Sequence, residues 1–120
     1  MPTLLIADES DIVRKVAKRI LSALNFEVAE TNSADHTIAQ CSRNMPDILI
    51  IDGSMQSALE VIPHIRVMPG GKETKIFFCV VKADLKTLMA GKRAGADDFL
   101  LKPFDRKALE AKFGSYVSAA

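Results

Sequence analysis

The sequence is poor in the residues that build disulfide frameworks and metal centres. Its 120 residues include two histidines and two cysteines. The cysteines, Cys41 and Cys79, lie far apart in the sequence and form no CxxC motif. A disulfide framework or a zinc site needs more cysteines, or cysteine and histidine pairs at close spacing. We therefore expect both cysteines to be reduced, buried thiols.

The sequence also lacks an excess of charge and a long apolar run near its start. The formal net charge is +1, whereas a nucleic-acid-binding face needs a clustered excess of basic residues. The first apolar run, "LLIA" at residues 4–7, is too short for a signal peptide or a membrane span. These absences predict a cytoplasmic protein that binds neither nucleic acid nor membrane.

What the chain does contain is typical of one packed globular unit. Hydrophobic residues make up 48% of the sequence and charged residues 26%, which is the balance of an ordinary folded domain rather than of a disordered segment. A length of 120 residues suits one domain with one core. We expect a single domain over residues 1–120, without a linker, an internal repeat or an output domain.

Short apolar runs alternate with amphipathic segments along the whole chain. Short runs of three to seven residues predict strands, and apolar residues repeating at three and four predict helices. Strict alternation of the two predicts an α/β fold, with a parallel sheet covered by helices on both faces. The expected strands are 4–7, 26–31, 48–51, 75–81 and 99–101, and the expected helices are 11–24, 33–43, 58–67, 85–94 and a last one capped by Asp105.

The third helix is expected to be irregular. Pro63 lies inside it, and an internal proline removes one backbone hydrogen bond and clashes with the preceding turn. The sequence therefore predicts a third helix that is shortened or distorted.

Polar residues follow alternate strands of the predicted sheet. Asp8 and Glu9 follow the first strand, Asp52 follows the third, and Lys102 follows the fifth. Open parallel sheets bind ligands outside the carboxyl ends of their strands. If the first and third strands are neighbours, three carboxylates and a lysine meet in one crevice.

This set of groups suits phosphoryl chemistry with a hard cation. Carboxylate oxygens are the ligands that Mg²⁺ prefers, and a lysine can hold the charge of a phosphoryl group. A carboxylate between the two can attack phosphorus, because both cations neutralise charge on the transferring group. The alternative is a set of surface ion pairs, which we disfavour because four such residues end alternate strands.

Four stretches, taken in order, carry a resemblance to a known family. They are "LLIADES", "PDILIID", "RAGADDFLLKPF" and "DRKALEAKF", and the "KPF" after "AGADDFLL" is the most specific. Together they resemble the receiver domain of two-component response regulators over essentially the whole chain. The resemblance implies a flavodoxin-like, doubly wound sheet of five parallel strands in the order 2-1-3-4-5, with five helices.

The resemblance also implies roles for the strand-end residues. Asp52 would accept a phosphoryl group from a histidine of a histidine kinase or a histidine phosphotransfer protein. Asp8, Glu9, Asp52 and the backbone carbonyl of Ser54 would hold Mg²⁺, and Lys102 would pair with Asp52 or its phosphoryl group. The chain resembles stand-alone, chemotaxis-type regulators, which implies a phosphoacceptor signalling protein that binds a downstream protein target and is not an enzyme.

Three features depart from the family pattern, and the smallest is Glu9, which replaces the commoner second Asp. Receiver domains usually end the fourth strand in Thr or Ser, and Val80 occupies that position here. Phe99 occupies the position of the aromatic residue that rotates in the family, and it has no phenolic hydroxyl. The loop after Asp52 reads "DGSMQSALEV", with Gln56 where proline is usual. We therefore expect an atypical switch, in which the hydroxyl-driven part is disabled.

Three alternatives to a phosphorylated receiver remain. The first is a pseudo-receiver, a binding module whose partner contacts do not depend on phosphorylation; Val80 and Phe99 favour it. The second is a Mg²⁺-dependent phosphatase of the haloacid dehalogenase type, which we disfavour because Ser54 stands where a second acid is needed. The third is a flavodoxin, which we disfavour because the first loop is acidic rather than rich in Ser and Thr.

Overall fold

A computed structural model describes residues 1–118 of the protein; residues 119 and 120 of the predicted domain lie outside the described residues. Five strands alternate with five helices, as predicted. The strands are β1 (Thr3–Ala7), β2 (Glu27–Thr31), β3 (Ile48–Asp52), β4 (Lys75–Val80) and β5 (Asp98–Leu101). The helices are α1 (Asp11–Ala23), α2 (Ala34–Arg43), α3 (Ala58–Arg66), α4 (Leu85–Ala94) and α5 (Arg106–Ser118).

The strands form one parallel sheet in the order β2-β1-β3-β4-β5. This confirms the flavodoxin-like order implied by the resemblance. Every residue of β3 is buried, because β3 is the central strand and helices cover both faces of the sheet. The last residue of β3, Asp52, therefore lies at the carboxyl edge of the sheet with little access to water.

Two apolar layers hold the helices onto the sheet. On one face, Leu21 of α1 and Phe113 of α5 pack against β1, β3 and β4. On the other face, Val61 and Ile62 of α3 lie in a layer that α2 and α4 complete, with Leu88 packed against it. Helices on both faces confirm the predicted α/β class and leave only the strand ends open to ligands.

Local polar signals set several helix ends. Ser10, Ser33 and Asp105 each accept a hydrogen bond from the backbone N–H three residues further on, at 3.2, 3.1 and 2.8 Å. Such a bond satisfies one of the donors left free at a helix start. Gly95 ends α4 with a φ of 122°, in a region that favours glycine. The sequence predicted the cap at Asp105, and the other predicted helices begin or end at or next to Ser10, Ser33 and Gly95.

The third helix is the shortest of the five in residues 1–118, with nine residues. Ser57 precedes it in the left-handed conformation, with a φ of 65°, and supplies no side-chain cap. Pro63 lies inside the helix, where it cannot donate to the preceding turn. The prediction of a shortened α3 is therefore confirmed, and the helix ends at Arg66 rather than at Val67.

Two sequence-based expectations are wrong in detail. β4 ends at Val80, one residue earlier than expected, because its neighbour β5 ends at Leu101, the partner of Val80. Val81 therefore leaves the sheet and is 70% exposed. Val16 belongs to the apolar repeat of α1, yet it is exposed, because that side of the helix faces an open groove rather than the core.

Both cysteines are buried free thiols, as predicted from their spacing. Among residues 1–118, no helix is both long enough and apolar enough to cross a bilayer.

Candidate functional site

The site lies where β1, β3 and β5 end. Asp8 directly follows β1, Asp52 is the last residue of β3, and Lys102 directly follows β5. Since β1 and β3 are paired in register up to Ala7 and Ile51, the next residue of each strand, an aspartate, emerges at the same level. Asp8 and Asp52 are only 2% and 5% exposed.

Lys102 joins the two aspartates. Its Nζ atom donates to Asp8 Oδ2 at 2.6 Å and lies 3.2 Å from Asp52 Oδ1. Its side chain is 15% exposed. Taking charges out of water is costly unless each finds a partner, and here one ammonium serves two carboxylates. Their formal charges sum to one negative charge, which favours a further cation at this edge.

The electrostatic balance at Lys102 favours its charged form. Burial alone would lower the pKa of this ammonium, but the hydrogen bond to Asp8 and the negative charges of Asp52 and Asp8 outweigh burial. The pKa of Lys102 is therefore raised above its ordinary value. The group stays a cation at neutral pH and can offset negative charge on a ligand.

Asp8 is also held through its other oxygens. Its Oδ1 accepts from the backbone N–H of Ser10 at 2.9 Å, and its backbone carbonyl accepts from Arg14 Nη1 at 2.7 Å. The buried Arg14 is itself paired with Asp11 and Glu30. Sequence patterns did not indicate this support, because Arg14 lies within an ordinary amphipathic helix.

The loop after Asp52 places a hydroxyl on the carboxylate. The Ser54 Oγ atom donates to Asp52 at 2.9 Å from Oδ1 and 3.1 Å from Oδ2, and the Ser54 backbone N–H donates to Oδ1 at 3.0 Å. Gly53, between them, donates its N–H to the Cys79 carbonyl at 2.7 Å. A Cβ atom on Gly53 would lie 2.9 Å from the Phe78 ring, so glycine allows the loop to pack this closely.

Glu9 follows Asp8 in the chain but is not part of the buried ion pair. It is exposed, and among residues 1–118 it takes part in no ion pair. Within those residues no three His, Cys, Asp or Glu side chains form a compact metal cluster. An all-oxygen donor set is still present, formed by the buried carboxylates of Asp8 and Asp52, the exposed carboxylate of Glu9 and the Ser54 carbonyl. Such a set fits Mg²⁺, with water completing the coordination shell of the ion.

The two switch positions carry no hydroxyl and lie in the apolar layer. Val80 is buried in the apolar cluster that also contains Phe78, Met55 and Ala58. Phe99 is half-buried and meets Phe78 edge to face, with ring centroids 6.5 Å apart. Neither side chain can donate to a phosphoryl oxygen. That the hydroxyl-driven switch is disabled stays a prediction.

An apolar pocket borders the site on the side of Lys102. Sequence patterns did not reveal it, because its residues come from α1, from the end of β4 and from the loop after β5. Besides Lys102, its lining includes Ile12, Val16, Val81, Pro103 and Phe104.

Comparison with known proteins agrees with this geometry. The family model of the response regulator receiver domain matches residues 4–113. The chain belongs to the response regulator receiver domain family. Receiver domains are signalling parts of two-component systems that interact with histidine kinases, and they are not conventional enzymes.

The curated relatives are longer proteins. The transcriptional regulatory protein PrrA of Mycobacterium tuberculosis is 30% identical over 115 residues, which are 92% of this chain and 48% of that protein. The probable transcriptional regulator ycf27 of Guillardia theta is 27% identical over 108 residues, which are 90% of this chain and 42% of that protein. The receiver chain thus spans less than half the length of these relatives.

Solved structures match over nearly the whole chain. A putative response regulator from Chloroflexus aurantiacus has a TM-score of 0.87 at 29% identity, covering 99% of this chain and 98% of that one. Chemotaxis response regulator CheY4 of Vibrio cholerae has a TM-score of 0.89 at 23% identity, covering 94% and 96%. The receiver domain of sensor histidine kinase PA1611 from Pseudomonas aeruginosa, solved with magnesium in its active-site cleft, has a TM-score of 0.87 at 18% identity, covering 98% of each chain.

Proposed function

We propose that Asp52 accepts a phosphoryl group from a phosphohistidine of a histidine kinase or a histidine phosphotransfer protein. The observation that carries this proposal is the place of Asp52, buried at the end of the central strand with Lys102 Nζ 3.2 Å from its Oδ1. A fixed cation beside the nucleophile stabilises charge on a transferring phosphoryl group.

In the proposed transfer, an Asp52 carboxylate oxygen forms a bond to phosphorus while the phosphorus–nitrogen bond of the donor breaks. The leaving imidazole nitrogen keeps the electron pair and takes a proton from solvent. Lys102 stays protonated and faces the phosphoryl oxygens. Asp8, Glu9, Asp52 and the Ser54 carbonyl would hold Mg²⁺, which supplies further neutralisation of phosphoryl charge when bound.

The apolar pocket beside Lys102 supports a protein as the donor. A histidine that reaches Asp52 must approach over this rim, and its neighbours on the donor can bury apolar surface there. Exposed Ile12 and Val81 lie on the rim. A free small-molecule donor would gain nothing from these side chains.

We further propose that the chain acts by binding a downstream protein target, without contacts to nucleic acid or membrane. The support is its charge balance, since a net charge of +1 gives no basic face. The cytoplasmic location and the absence of an output domain stay predictions.

The test is phosphorylation by a small acyl phosphate donor with Mg²⁺, followed by intact mass spectrometry. We expect the wild-type protein to gain one phosphoryl group and Asp52→Asn to gain none. Asp35→Asn, which alters an exposed aspartate in the first turn of α2, should behave as wild type. A wild-type protein that stays unmodified at millimolar donor would contradict the proposal.

A pseudo-receiver is the second candidate, and the apolar Val80 and Phe99 favour it. In that case phosphorylation would leave binding unchanged. Once a partner is in hand, its affinities for wild type and Asp52→Ala distinguish the two functions. Equal affinities with and without phosphodonor support the pseudo-receiver.

A further inference from the structure

The Ser54 side chain has an unusual relation to the proposed phosphoacceptor. Its hydroxyl contacts both carboxylate oxygens of Asp52, at 2.9 and 3.1 Å. Within residues 1–118 no other hydroxyl is hydrogen-bonded to Asp52. Ser54 is itself exposed at the mouth of the crevice, which is the side from which a phosphoryl group must arrive.

The two oxygens of Asp52 are not equivalent. Oδ1 has three nitrogen or oxygen neighbours, the Ser54 N–H, the Ser54 hydroxyl and the Lys102 ammonium. Among residues 1–118, Oδ2 has one hydrogen-bond partner, the Ser54 hydroxyl at 3.1 Å. A carboxylate oxygen has two lone pairs, so Oδ2 is the atom with an open lone pair for bonding to phosphorus.

The neighbouring strand cannot supply a hydroxyl. Val80, at the end of β4, is buried in an apolar layer and has no donor. Any hydroxyl donor to a phosphoryl group on Asp52 must therefore come from another element, and the loop after β3 holds one in contact.

Resting on the proposed function, we propose that Ser54 is a phosphoryl-binding residue whose hydroxyl donates to the phosphoryl group on Asp52, in place of the hydroxyl that Val80 lacks. When Oδ2 forms its bond to phosphorus, the donor's phosphorus–nitrogen bond breaks and the imidazole nitrogen keeps the electron pair. Oδ2 thereby loses its negative charge, and the phosphoryl oxygens bring theirs into the site. The Ser54 hydroxyl keeps its proton and turns from the two oxygens of Asp52 to a phosphoryl oxygen. Charged acceptors hold hydrogen bonds more strongly than neutral ones.

The test measures binding of beryllofluoride, a phosphoryl mimic, and of Mg²⁺ alone. Because the chain has no tryptophan, titration calorimetry is the direct readout. Ser54→Ala should weaken beryllofluoride binding about ten-fold, the loss of one hydrogen bond to a charged group. Its Mg²⁺ affinity should fall by a smaller factor than its beryllofluoride affinity, because the backbone carbonyl that would contact the ion is unchanged. Ser54→Thr, which restores a hydroxyl, should bind beryllofluoride like wild type.

Two controls separate this role from a structural one. Ser42→Ala alters an exposed serine of α2 and should change neither affinity. Val80→Thr places a hydroxyl on β4, and in that background the Ser54→Ala loss should shrink. The inference is overturned if Ser54→Ala binds beryllofluoride as tightly as wild type, or if Ser54→Thr is as weak as Ser54→Ala. If the wild-type protein itself binds no beryllofluoride with Mg²⁺, the proposed function fails as well.

Discussion

At the scale of single residues, the site depends on one lysine shared between two acids. Lys102 lies 2.6 Å from Asp8 and 3.2 Å from Asp52. The strand-end pattern indicated that these three residues would meet. It did not indicate that Asp8 is the nearer partner of Lys102, or that the Ser54 side chain reaches Asp52, because both depend on side-chain rotamers rather than on strand positions.

Lys102→Ala is expected to lower the free energy of unfolding by about 3 kcal/mol in metal-free buffer, because two buried carboxylates then lose their shared cation. Urea denaturation measures the change, and added Mg²⁺ should recover part of the loss. Lys112→Ala is the control, since Lys112 makes a single half-exposed ion pair with Asp98, and it should cost less than about 1 kcal/mol. Similar small losses in both variants would contradict the bridging role of Lys102.

The buried thiol of Cys41 predicts a pH effect. Burial raises the pKa of Cys41 from 9.0 to about 11, so the folded protein keeps a proton that the unfolded chain releases from pH 9 upward. The contribution of the Cys41 thiol to the free energy of unfolding is fully present below pH 9. It falls by about 2 kcal/mol as the pH rises towards 11. Urea denaturation from pH 8 to 11 should show this fall, and Cys41→Ala should show a shallower one. Equal slopes of the free energy of unfolding against pH in the wild-type protein and in Cys41→Ala would contradict this prediction.

At the scale of elements, the sequence was most informative where the signal is local. Ser10, Ser33 and Gly95 mark helix ends through bonds to residues nearby in the chain, and the predicted helices begin or end at or next to them. The end of β4 was missed, because it depends on where β5 offers a partner, and that is a tertiary property. The pocket beside Lys102 was missed for the same reason.

A pair of glycine substitutions tests the packing of elements. A Cβ atom on Gly71 would lie 1.8 Å from the Ile65 carbonyl oxygen at the end of α3, whereas a Cβ atom on Gly114 of α5 would meet nothing within 4 Å. Gly71→Ala should destabilise the protein by about 3 kcal/mol, because backbone must move. Gly114→Ala should stabilise it by up to about 1 kcal/mol through helix propensity. Thermal denaturation compares them, and equal shifts in the same direction would show that the loop after α3 is not tightly packed.

At the scale of the whole molecule, the two edges of the sheet where strands begin and end have different roles. The carboxyl edge carries Asp8, Asp52 and Lys102, while the opposite edge is tied together by Arg66. This guanidinium donates to the carbonyl oxygens of Gly95, Gly71 and Thr74 and to the Asp97 carboxylate, at 2.7 to 3.0 Å. One side chain thus joins α3 to the turns before β4 and β5.

Arg66→Lys is expected to lower the free energy of unfolding by about 2 kcal/mol, because an ammonium cannot match the planar fork and leaves carbonyl oxygens unpaired. Since the site is at the other edge, phosphorylation of the folded variant should proceed at the wild-type rate. The matched control is Arg43→Lys, on the exposed end of α2, which should stay within about 0.5 kcal/mol of wild type. Urea denaturation and donor assays give both quantities, and a loss no larger than that of Arg43→Lys would contradict the account.

The central claim is that Asp52 is the phosphoacceptor, and mapping the modified residue tests it most directly. The protein is treated with a small acyl phosphate donor and Mg²⁺. The aspartyl phosphate formed on the protein is then reduced with borohydride, and the peptides are sequenced by mass spectrometry. We predict that the reduced residue is at position 52 and that neither Asp8 nor Glu9 is modified. Modification at another carboxylate, or none at all, would contradict the account.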